Sequence, residues 1–598
     1  MMKKYIVFSF CLVSFFFRAE EISIEELVSV GSNINQSKDL ISSTIDIIDS
    51  EELERQSEKD VLSVLSNTLA IDTSRYGGFG QISSVFLRGT NSNHTIFQVN
   101  GVKINPSTAG GASIYSLDAD VISKIEIGSG AFSSIHGSEA IGGIVNISTI
   151  KQDIEDKVEI KAKLGQNKFK GESVSLNFNK EKTKFNLFAS DTTTEGFPIF
   201  SDSTLNRGFT NKTVVASINQ KKESSSTQFS SWSSKGRTEY LGFNQAPLSQ
   251  YYNNEAHAMS VVLNNKKDYR FLVRINTFKD LILQEQENLY KDIDLTKTKR
   301  NTFEFIINKS FYSNSSFALG YSMEDETVKY SSFGTKFDQK LQTDSLLAEW
   351  NLWRRKEGAY FSFRNTHHET YGNQKAWKLS LIRLINNNYS LIVNSGTAFR
   401  SPNSSELYGY GANKLLLPET SRSHEILLKT SLENSSFSSV LFNNKTSNLI
   451  NFDYNQNTLR NILQSSTKGA ELRFRWKNRS INGRIILRLQ QPIDGQGNLL
   501  IRRSKRSLGL NLFQTFNRNV LNFNFSAFGK RKDFSERSLP GYFLLNIALS
   551  RKVSDKLSLS CKIENLLNKE YFTAAGMNGY YLNQDRSIWF NIKYTFGR

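Results

Sequence analysis

The residues most able to do chemistry are few and scattered. The six histidines are His94, His136, His257, His367, His368 and His424, and they form neither a H-E-x-x-H motif nor a comparable metal-ligand spacing. The sequence contains no G-x-S-x-G nucleophile turn and no G-x-x-x-x-G-K-[ST] phosphate loop. We therefore assign no catalytic residue, no metal ligand and no cofactor, and we do not expect an enzyme.

The N-terminus has the composition of an export signal. Lys3 and Lys4 precede an apolar stretch over residues 5–17, and about 13 apolar residues are too few to cross a hydrocarbon core that needs about 20. We predict a signal peptide over residues 1–19. Its removal leaves Cys561 as the only cysteine, which cannot form an intramolecular disulfide.

The charge balance is strongly basic. The chain has 75 Lys and Arg residues against 57 Asp and Glu residues, a formal net charge of +18. In a soluble protein this excess suggests nucleic acid, but an exported chain does not meet that partner. We expect outer-membrane lipid and the phosphates of lipopolysaccharide, or an anionic ligand, as the partners of this charge.

From about residue 150 the hydrophobic pattern has a period of two. Apolar residues alternate with polar ones at Val158, Ile160, Ala162 and Leu164, at Leu508, Leu510 and Leu512, at Leu521, Phe523 and Phe525, and at Ile588, Phe590, Ile592 and Tyr594. A period of two predicts strands, and no helical pattern lies between them. In an exported protein this favours a membrane all-β fold. A soluble sandwich, β-helix or propeller is the alternative.

The length of this region predicts the size of the barrel. Residues 152–598 comprise roughly 450 residues, and a spanning strand with its connection takes roughly 20, so we predict an antiparallel transmembrane β-barrel of about 22 strands. A lumen so wide cannot be filled by the side chains of the wall. The preceding chain must therefore plug it.

Residues 49–151 have the composition of such a plug, after an N-terminal segment over residues 20–48. We predict a helix over residues 51–69, capped by Asp49 or Ser50. Short strands are expected at residues 85–87, 96–99, 125–127 and 144–147, each bounded by Gly, Asn or Ser. This is an α+β domain.

Several plug residues have a local structural meaning. Asn100-Gly101 is a hairpin turn signal because both positions tolerate positive φ. Gly142-Gly143 allows close approach of a neighbouring strand. Arg88 and Glu139 could form an ion pair inside the plug, or remain two separately solvated charges.

Three motifs of the plug region occur in a specific order: S-V-F-L-R-G-T-N at residues 84–91, V-N-G-V-K-I-N at residues 99–105, and H-G-S-E-A-I-G-G-I-V-N-I at residues 136–147. Together they resemble the plug signatures of TonB-dependent outer-membrane receptors, most closely the cobalamin-receptor branch. Residues 396–402, 406–411, 417–419 and 563–571 are similar to barrel segments of the same family.

The resemblance implies active import across the outer membrane of a Gram-negative bacterium. Family members bind their ligand at the cell surface, here a corrinoid, and are driven by TonB with its inner-membrane energising complex. The TonB-box candidate is the β-prone segment Glu25, Glu26, Leu27, Val28, Ser29 and Val30, which could add as a strand to its partner. A first plug strand is the alternative for this segment.

The resemblance also implies where the ligand binds. The plug apices would contribute Phe79, Gln81, Ile82, Thr108, Ala109 and Gly110, and loop aromatics would contribute Tyr251, Tyr252, Tyr408 and Tyr410. Small apical residues let a bulky ligand approach the backbone, and tyrosines can pack on a flat macrocycle. The alternative for each tyrosine is packing in the membrane-interface belt.

Other functions remain open. A ferric-siderophore receptor is the closest alternative, whereas a haem receptor is less expected because no histidine lies between Phe399 and Pro418. A passive porin would not need a plug, and an outer-membrane enzyme would need the nucleophile motif that this sequence lacks.

Overall fold

The structure, a computed structural model, describes residues 30–34 and 43–597, apart from residues 109, 152–154, 243–244, 265–267, 287–292, 312–314, 333, 454 and 577. The predicted signal peptide and residues 25–29 of the TonB-box candidate lie outside these described residues. Within the described chain, no helix is both long and apolar enough to cross a membrane.

Short strands and helices build the N-terminal plug. The strands are β1 (Thr44–Asp49), β2 (Asp72–Arg75), β3 (Ser83–Phe86), β4 (Thr95–Val99), β5 (Val102–Lys103), β6 (Lys124–Ser129) and β7 (Gly143–Ser148). Five of them form one sheet in the order β1-β6-β7-β4-β5, and β2 pairs with β3. The four strands predicted between residues 85 and 147 are therefore confirmed.

The predicted helix over residues 51–69 is wrong as a single element. Helix α1 (Ser50–Gln56) is capped by Asp49 and ends at Ser57 with φ 48°, and α2 (Val61–Ser63) begins after a second cap, Asp60. A π-helical turn over Val64–Thr68 continues α2. The break arises because the polar residues 57–60 offer a new N-cap and turn toward partners on the barrel wall.

Twenty-two antiparallel strands close into a barrel around the plug. The wall and loop strands are β8 (Lys157–Gly165), β9 (Phe169–Lys180), β10 (Thr183–Pro198), β11 (Asn206–Lys221), β12 (Ser225–Leu241), β13 (Pro247–Asn264), β14 (Tyr269–Gln284), β15 (Asp294–Phe311), β16 (Ser315–Ser332), β17 (Thr335–Arg354), β18 (Glu357–His368), β19 (Gly372–Leu384), β20 (Tyr389–Arg400), β21 (Glu419–Leu432), β22 (Ser435–Asp453), β23 (Thr458–Lys477), β24 (Ile481–Asp494), β25 (Arg506–Phe516), β26 (Asn519–Phe528), β27 (Arg531–Lys532), β28 (Ser538–Leu539), β29 (Tyr542–Lys552), β30 (Leu557–Glu564), β31 (Phe572–Ala575), β32 (Tyr580–Leu582) and β33 (Ser587–Gly597). The hairpins β27-β28 and β31-β32 belong to loops. Pairing of β33 with β8 closes the ring, so the predicted strand number is confirmed.

The two ends of the barrel differ in the length of their connections. Turns such as those between β9 and β10 or between β21 and β22 are short, whereas the β20–β21 connection spans residues 401–418 and contains helix α4 (Ser404–Tyr408). In outer-membrane barrels short turns face the periplasm and long loops face outward. We name the two ends the periplasmic and extracellular ends accordingly.

The plug core continues into the barrel wall. Val61, Leu65 and Ile125 are fully buried in a cluster that also contains the wall residues Trp232 and Phe278. The outer face of the wall instead exposes large apolar side chains, among them Ile426, Leu441 and Leu472. The period of two in the sequence thus separates a packed or polar lumen from an apolar outer belt.

Candidate functional site

The first plug apex, residues 76–82, is wedged against the extracellular half of the wall. Phe79 packs its ring 5.2 Å from that of Phe169 and 6.1 Å from that of Phe209. Gln81 Nε2 donates to the carbonyl oxygen of Glu239 at 2.6 Å. Ile82 remains 60% exposed, so of the three predicted ligand-binding residues here it is the one most open to the exterior.

The second plug apex, residues 105–111, is held from two sides. Arg300 Nη2 donates to the carbonyl oxygen of Asn105 at 2.9 Å, and the Ser404 backbone N–H donates to that of Ser107 at 2.9 Å. Thr108 is buried and Gly110 has φ 70°. Ala109 lies outside the described residues.

The loop over residues 401–418 folds inward onto this second apex. Its helix α4 is fixed by a capping box in which Asn403 accepts from the Glu406 N–H and Glu406 accepts from the Asn403 N–H. Arg400 donates both terminal nitrogens to Glu406 at 2.9 and 3.0 Å. A two-pronged contact of this kind fixes orientation as well as distance, so the loop approaches the plug in one defined geometry.

His94 joins the plug to the base of the same loop. Its Nδ1 accepts from the Asn91 backbone N–H at 3.3 Å, and its Nε2 lies 2.6 Å from Glu419 Oε2. Arg400 Nε donates to the same carboxylate oxygen at 2.6 Å. With Nδ1 occupied as an acceptor, Nε2 carries the proton and donates, so this histidine positions the loop.

The four predicted tyrosines occupy different surroundings. Tyr252 faces the lumen, where its hydroxyl donates to Asn211 Oδ1 at 2.9 Å, and it is almost fully buried. Tyr251, the preceding residue on β13, therefore points to the outer face and is 43% exposed. Tyr408 and Tyr410 both lie on the inward-folded loop, and Tyr410 is 56% exposed.

A buried ion-pair cluster holds the plug against strands β21, β23 and β24. Arg88 Nη1 donates to Glu425 and Nη2 donates to Glu471 Oε2 at 3.2 Å. Glu471 also accepts from Arg473 and Arg488. Burial alone would lower the pKa of Arg88, but the two carboxylates raise that pKa above its ordinary value. The cluster therefore links the plug to the barrel wall through buried ion pairs.

Neither alternative for Arg88 and Glu139 holds, because the two do not pair with each other and each forms an ion pair elsewhere. Glu139 instead lies 3.0 Å from Lys103 Nζ, within the plug. Arg88 sits in a tight turn with φ 48°, which aims its side chain away from Glu139 and toward β21 and β23. The prediction for Asn100-Gly101 fits, since these residues have φ 52° and 83° in the turn between β4 and β5.

Gly142-Gly143 marks a close approach of strands. A Cβ built on Gly143, at φ 148°, would lie 2.1 Å from the Gly128 carbonyl oxygen, and one on Gly142 would lie 2.1 Å from Thr90 Oγ1. Neither position has room for a side chain. These two glycines therefore let β7 pack against β6 and the turn that carries Arg88.

Residues 30–34, which continue from the TonB-box candidate, are seated on the periplasmic half of the wall. Ser32 Oγ donates to Glu349 Oε2 at 2.5 Å and Asn33 Nδ2 donates to Glu349 Oε1 at 2.7 Å. Ile34 packs in a cluster with Leu272 and Ile306. Val30, the last residue of the candidate, accepts a hydrogen bond from His136 Nε2 at 2.9 Å.

This contact gives an expected pH dependence. Burial is the main reason that the pKa of His136 falls to about 4, with the Val30 carbonyl opposing and with Glu304, Arg364 and Arg274 nearby. Because a released His136 takes up a proton near its ordinary pKa of about 6.5, stability is retained above pH 6.5 and is lost as the pH falls toward 4. We expect the packing of residues 30–34 against His136 to loosen over this range, because a protonated imidazole is poorly solvated while these residues cover it.

Hydrogen exchange of residues 30–34, corrected for intrinsic rates, measures this effect between pH 7 and pH 4.5. His136→Gln keeps an N–H donor but cannot titrate, so its exchange should not depend on pH. An equal pH dependence in both proteins contradicts the assignment to His136.

A cavity of about 1790 Å³ lies beside the plug. Its lining runs from periplasmic turn residues such as Lys552 to Ser404 of the inward-folded loop, and it includes Asn33 and Gly101. The first apex residues Phe79, Gln81 and Ile82 do not line it. The second apex and residues 30–34 therefore border the same space, one toward each end of the barrel.

Sequence reasoning missed the wall carboxylates that hold the plug: Glu349, Glu425 and Glu471. Each occupies the inward position of its strand, where the outward neighbours of Glu425 and Glu471 are the apolar residues Ile426 and Leu472. An acid at an inward position of a strand, beside polar inward neighbours such as Ser423 or Arg473, was the available signal. Its partner, however, could not be read from the strand alone.

Two family models match the chain. One, described as "TonB dependent receptor-like, beta-barrel", matches residues 162–566, and the other, "TonB-dependent Receptor Plug Domain", matches residues 37–144. The matched ranges correspond to most of the barrel and most of the plug described above.

Relatives in sequence and in structure carry different ligand names. The chain is 26% identical to "Vitamin B12 transporter BtuB" of Vibrio vulnificus over 97% of both chains. Among solved structures, FpvA of P. aeruginosa bound to pyoverdines superposes with a TM-score of 0.82 at 13% identity, covering 95% of this chain and 88% of that one. The siderophore receptor PirA of Acinetobacter baumannii has a TM-score of 0.78 at 17% identity, covering 92% and 98%.

Proposed function

Because the chain belongs to the TonB-dependent receptor family, we propose that it binds a corrinoid of the vitamin B12 type at the cell surface and imports it across the outer membrane with energy delivered by TonB. The observation that carries the proposal is the end-to-end similarity to proteins named vitamin B12 transporters, at 26% identity over 97% of both chains. The siderophore receptors share the fold at lower identity.

Part of the charge around the cavity is paired. Lys103 pairs with Glu139 and Arg274 with Glu304 in its lining, and Arg300 behind the second apex pairs with both Glu324 and Glu326. These pairs offset one another's charge, which suits a bulky ligand of low net charge. The lining also includes Arg270 and Arg364, which donate to the backbone carbonyl oxygens of Asn33 and Ile135.

In this proposal the ligand is first held between the plug apices and the loop over residues 401–418. The exposed Ile82 and Tyr410 offer apolar surface, whereas Gln81 fixes the apex to the wall and Thr108 and Gly110 shape the second apex. The contact between Ser404 and Ser107 closes the extracellular end of the cavity. Release of that contact is the step that admits the ligand to the space beside the plug.

TonB acts from the other end. Its grip on Glu25 to Val30 would place force on residues 30–34, whose seat is the carboxylate of Glu349. Asn33 lines the cavity, and Ile34 packs against Leu272, which also lines it. Drawing residues 30–34 out widens the passage to the periplasm, so the site couples ligand entry to external work.

Direct binding tests the ligand. The purified protein should bind cyanocobalamin at least a hundredfold more tightly than ferric enterobactin, ferripyoverdine or haem, measured by isothermal titration calorimetry. Tyr410→Ala should weaken corrinoid binding about tenfold, which corresponds to about 1.4 kcal/mol.

Tyr321→Ala is the matched control, since Tyr321 is a partly exposed tyrosine on the outer face of β16. It should bind the corrinoid as the unmodified protein does. Tight binding of a ferric chelate with no binding of cyanocobalamin would replace the corrinoid proposal with the siderophore alternative.

A further inference from the structure

Three cationic side chains form a patch on the outer face of neighbouring strands. Arg422 on β21 lies directly opposite Lys445 on β22. Lys468 on β23 lies opposite Asn443. Asn443 and Lys445 are successive outward-facing residues of β22, so Lys468 is a diagonal neighbour of Lys445. All three are exposed, while the residues beside them on the same strands, Ser421, Ser423, Thr446 and Thr467, are buried toward the lumen. We name Arg422, Lys445 and Lys468 the basic patch.

The height of the basic patch on the wall is defined by the apolar belt below it. On each strand an exposed apolar residue lies four residues from the cation, toward the periplasmic end. These residues are Ile426, Leu441 and Leu472, which are 50%, 56% and 39% exposed. At about 3.4 Å per residue this is about 14 Å along the strand, and less along the membrane normal because barrel strands are tilted. The basic patch therefore lies where the outer leaflet changes from acyl chains to headgroups.

The basic patch has no counter-charge of its own. Within the described part of the chain, none of its three members forms an ion pair or a side-chain hydrogen bond. Three outward lysines elsewhere on the wall do form ion pairs: Lys212 pairs with Asp191, Lys279 with Glu255 and Lys329 with Asp338. Like charges directly opposite each other on a sheet are destabilising. The repulsion between Arg422 and Lys445 therefore destabilises this part of the wall. An external anion bound to both side chains would remove the repulsion.

From this geometry we propose that the basic patch is a binding site for the phosphate groups of a lipopolysaccharide molecule in the outer leaflet. Arg422 supplies a planar fork suited to a phosphate, and the two lysines supply point charges on the next two strands, β22 and β23. The acyl chains of the same molecule would lie over Ile426, Leu441 and Leu472. One lipid would contact both surfaces, which a free anion cannot do.

Retention of lipid by the purified receptor tests this proposal. The triple variant Arg422→Gln, Lys445→Gln, Lys468→Gln should retain at least tenfold less lipopolysaccharide than the unmodified protein, measured by native mass spectrometry after mild detergent extraction. The control Lys212→Gln, Lys279→Gln, Lys329→Gln removes the same number of outward cations but from ion pairs, and it should retain lipid normally. Equal retention by all three proteins, or equal loss in both variants, overturns the proposal.

A second arm separates the lipid from a simple anion. Delipidated receptor is mixed with lipopolysaccharide, with the same lipid after enzymatic removal of its phosphates, or with inorganic phosphate as a competitor. Only the phosphorylated lipid should bind, and inorganic phosphate at equal concentration should not displace it. Binding of the dephosphorylated lipid with equal strength, or full displacement by inorganic phosphate, contradicts the assignment. Heat-modifiable gel migration confirms that each variant is folded.

Discussion

Replacing Arg88 with methionine is expected to loosen the plug and let ions pass through a barrel that remains folded. The guanidinium is fully buried and contacts two wall carboxylates, Glu425 and Glu471. Removing one partner of a buried ion pair leaves an uncompensated charge and costs about 3–5 kcal/mol. Since Glu471 keeps Arg473 and Arg488, most of this cost falls on Glu425.

Two measurements check this expectation. Single-channel conductance in planar bilayers should rise well above that of the unmodified protein, and the urea midpoint for plug release should fall, while heat-modifiable gel migration of the barrel stays the same. Arg237→Met is the matched control, because Arg237 is a half-exposed arginine paired with Glu239, and exposed pairs contribute about 1 kcal/mol or less. Unchanged conductance and unfolding in Arg88→Met would show that the cluster does not hold the plug.

Disrupting the TonB-box candidate is expected to abolish uptake and leave surface binding intact. Strand addition depends on backbone hydrogen bonds, and proline both removes an N–H and restricts φ. Val28→Pro should therefore reduce energised uptake of labelled cyanocobalamin to background, as should deletion of Glu25 to Val30. Binding to de-energised cells should stay within twofold, since the apices lie at the other end of the barrel.

Val28→Thr is the control for this position. Threonine is β-branched and keeps the backbone donor, so strand pairing is retained and uptake should continue at a similar rate. The proline variant also spares Val30 and its hydrogen bond to His136, which separates loss of the TonB grip from loosening of residues 30–34. Normal uptake by Val28→Pro would remove this segment as the point of attachment.

Local sequence signals account for much of the fold. The alternation at Val158, Ile160 and Ala162 is set by the two-residue repeat of a strand, so it predicted β8 without any knowledge of its neighbours. The turn at Asn100-Gly101 followed from the φ preferences of those two residues. The helix over residues 51–69 was mispredicted because the polar stretch at its centre serves wall contacts, such as Lys59 with Glu564, that no local pattern contains.

The ligand end of the site was predictable only in part. Phe79 and Gln81 were placed at an apex, as the sequence motifs indicated, but their contacts with Phe209 and Glu239 depend on how the plug is turned inside the barrel. Tyr251 and Tyr252 are adjacent in sequence and face opposite sides of the wall. Which of the two faces the lumen depends on strand register, which the isolated segment does not specify.

By itself, the sequence determined the strands, their approximate number, the plug and the family, because each rests on short-range periodicity, length or a contiguous motif. The tertiary structure alone decided the partners of the buried charges. Arg88 meets Glu425 and Glu471 across 337 and 383 residues of chain, and closure of the ring sets which inward acids face the plug. A buried charge is stable only beside its partner, so this long-range choice is what seats the plug in the lumen.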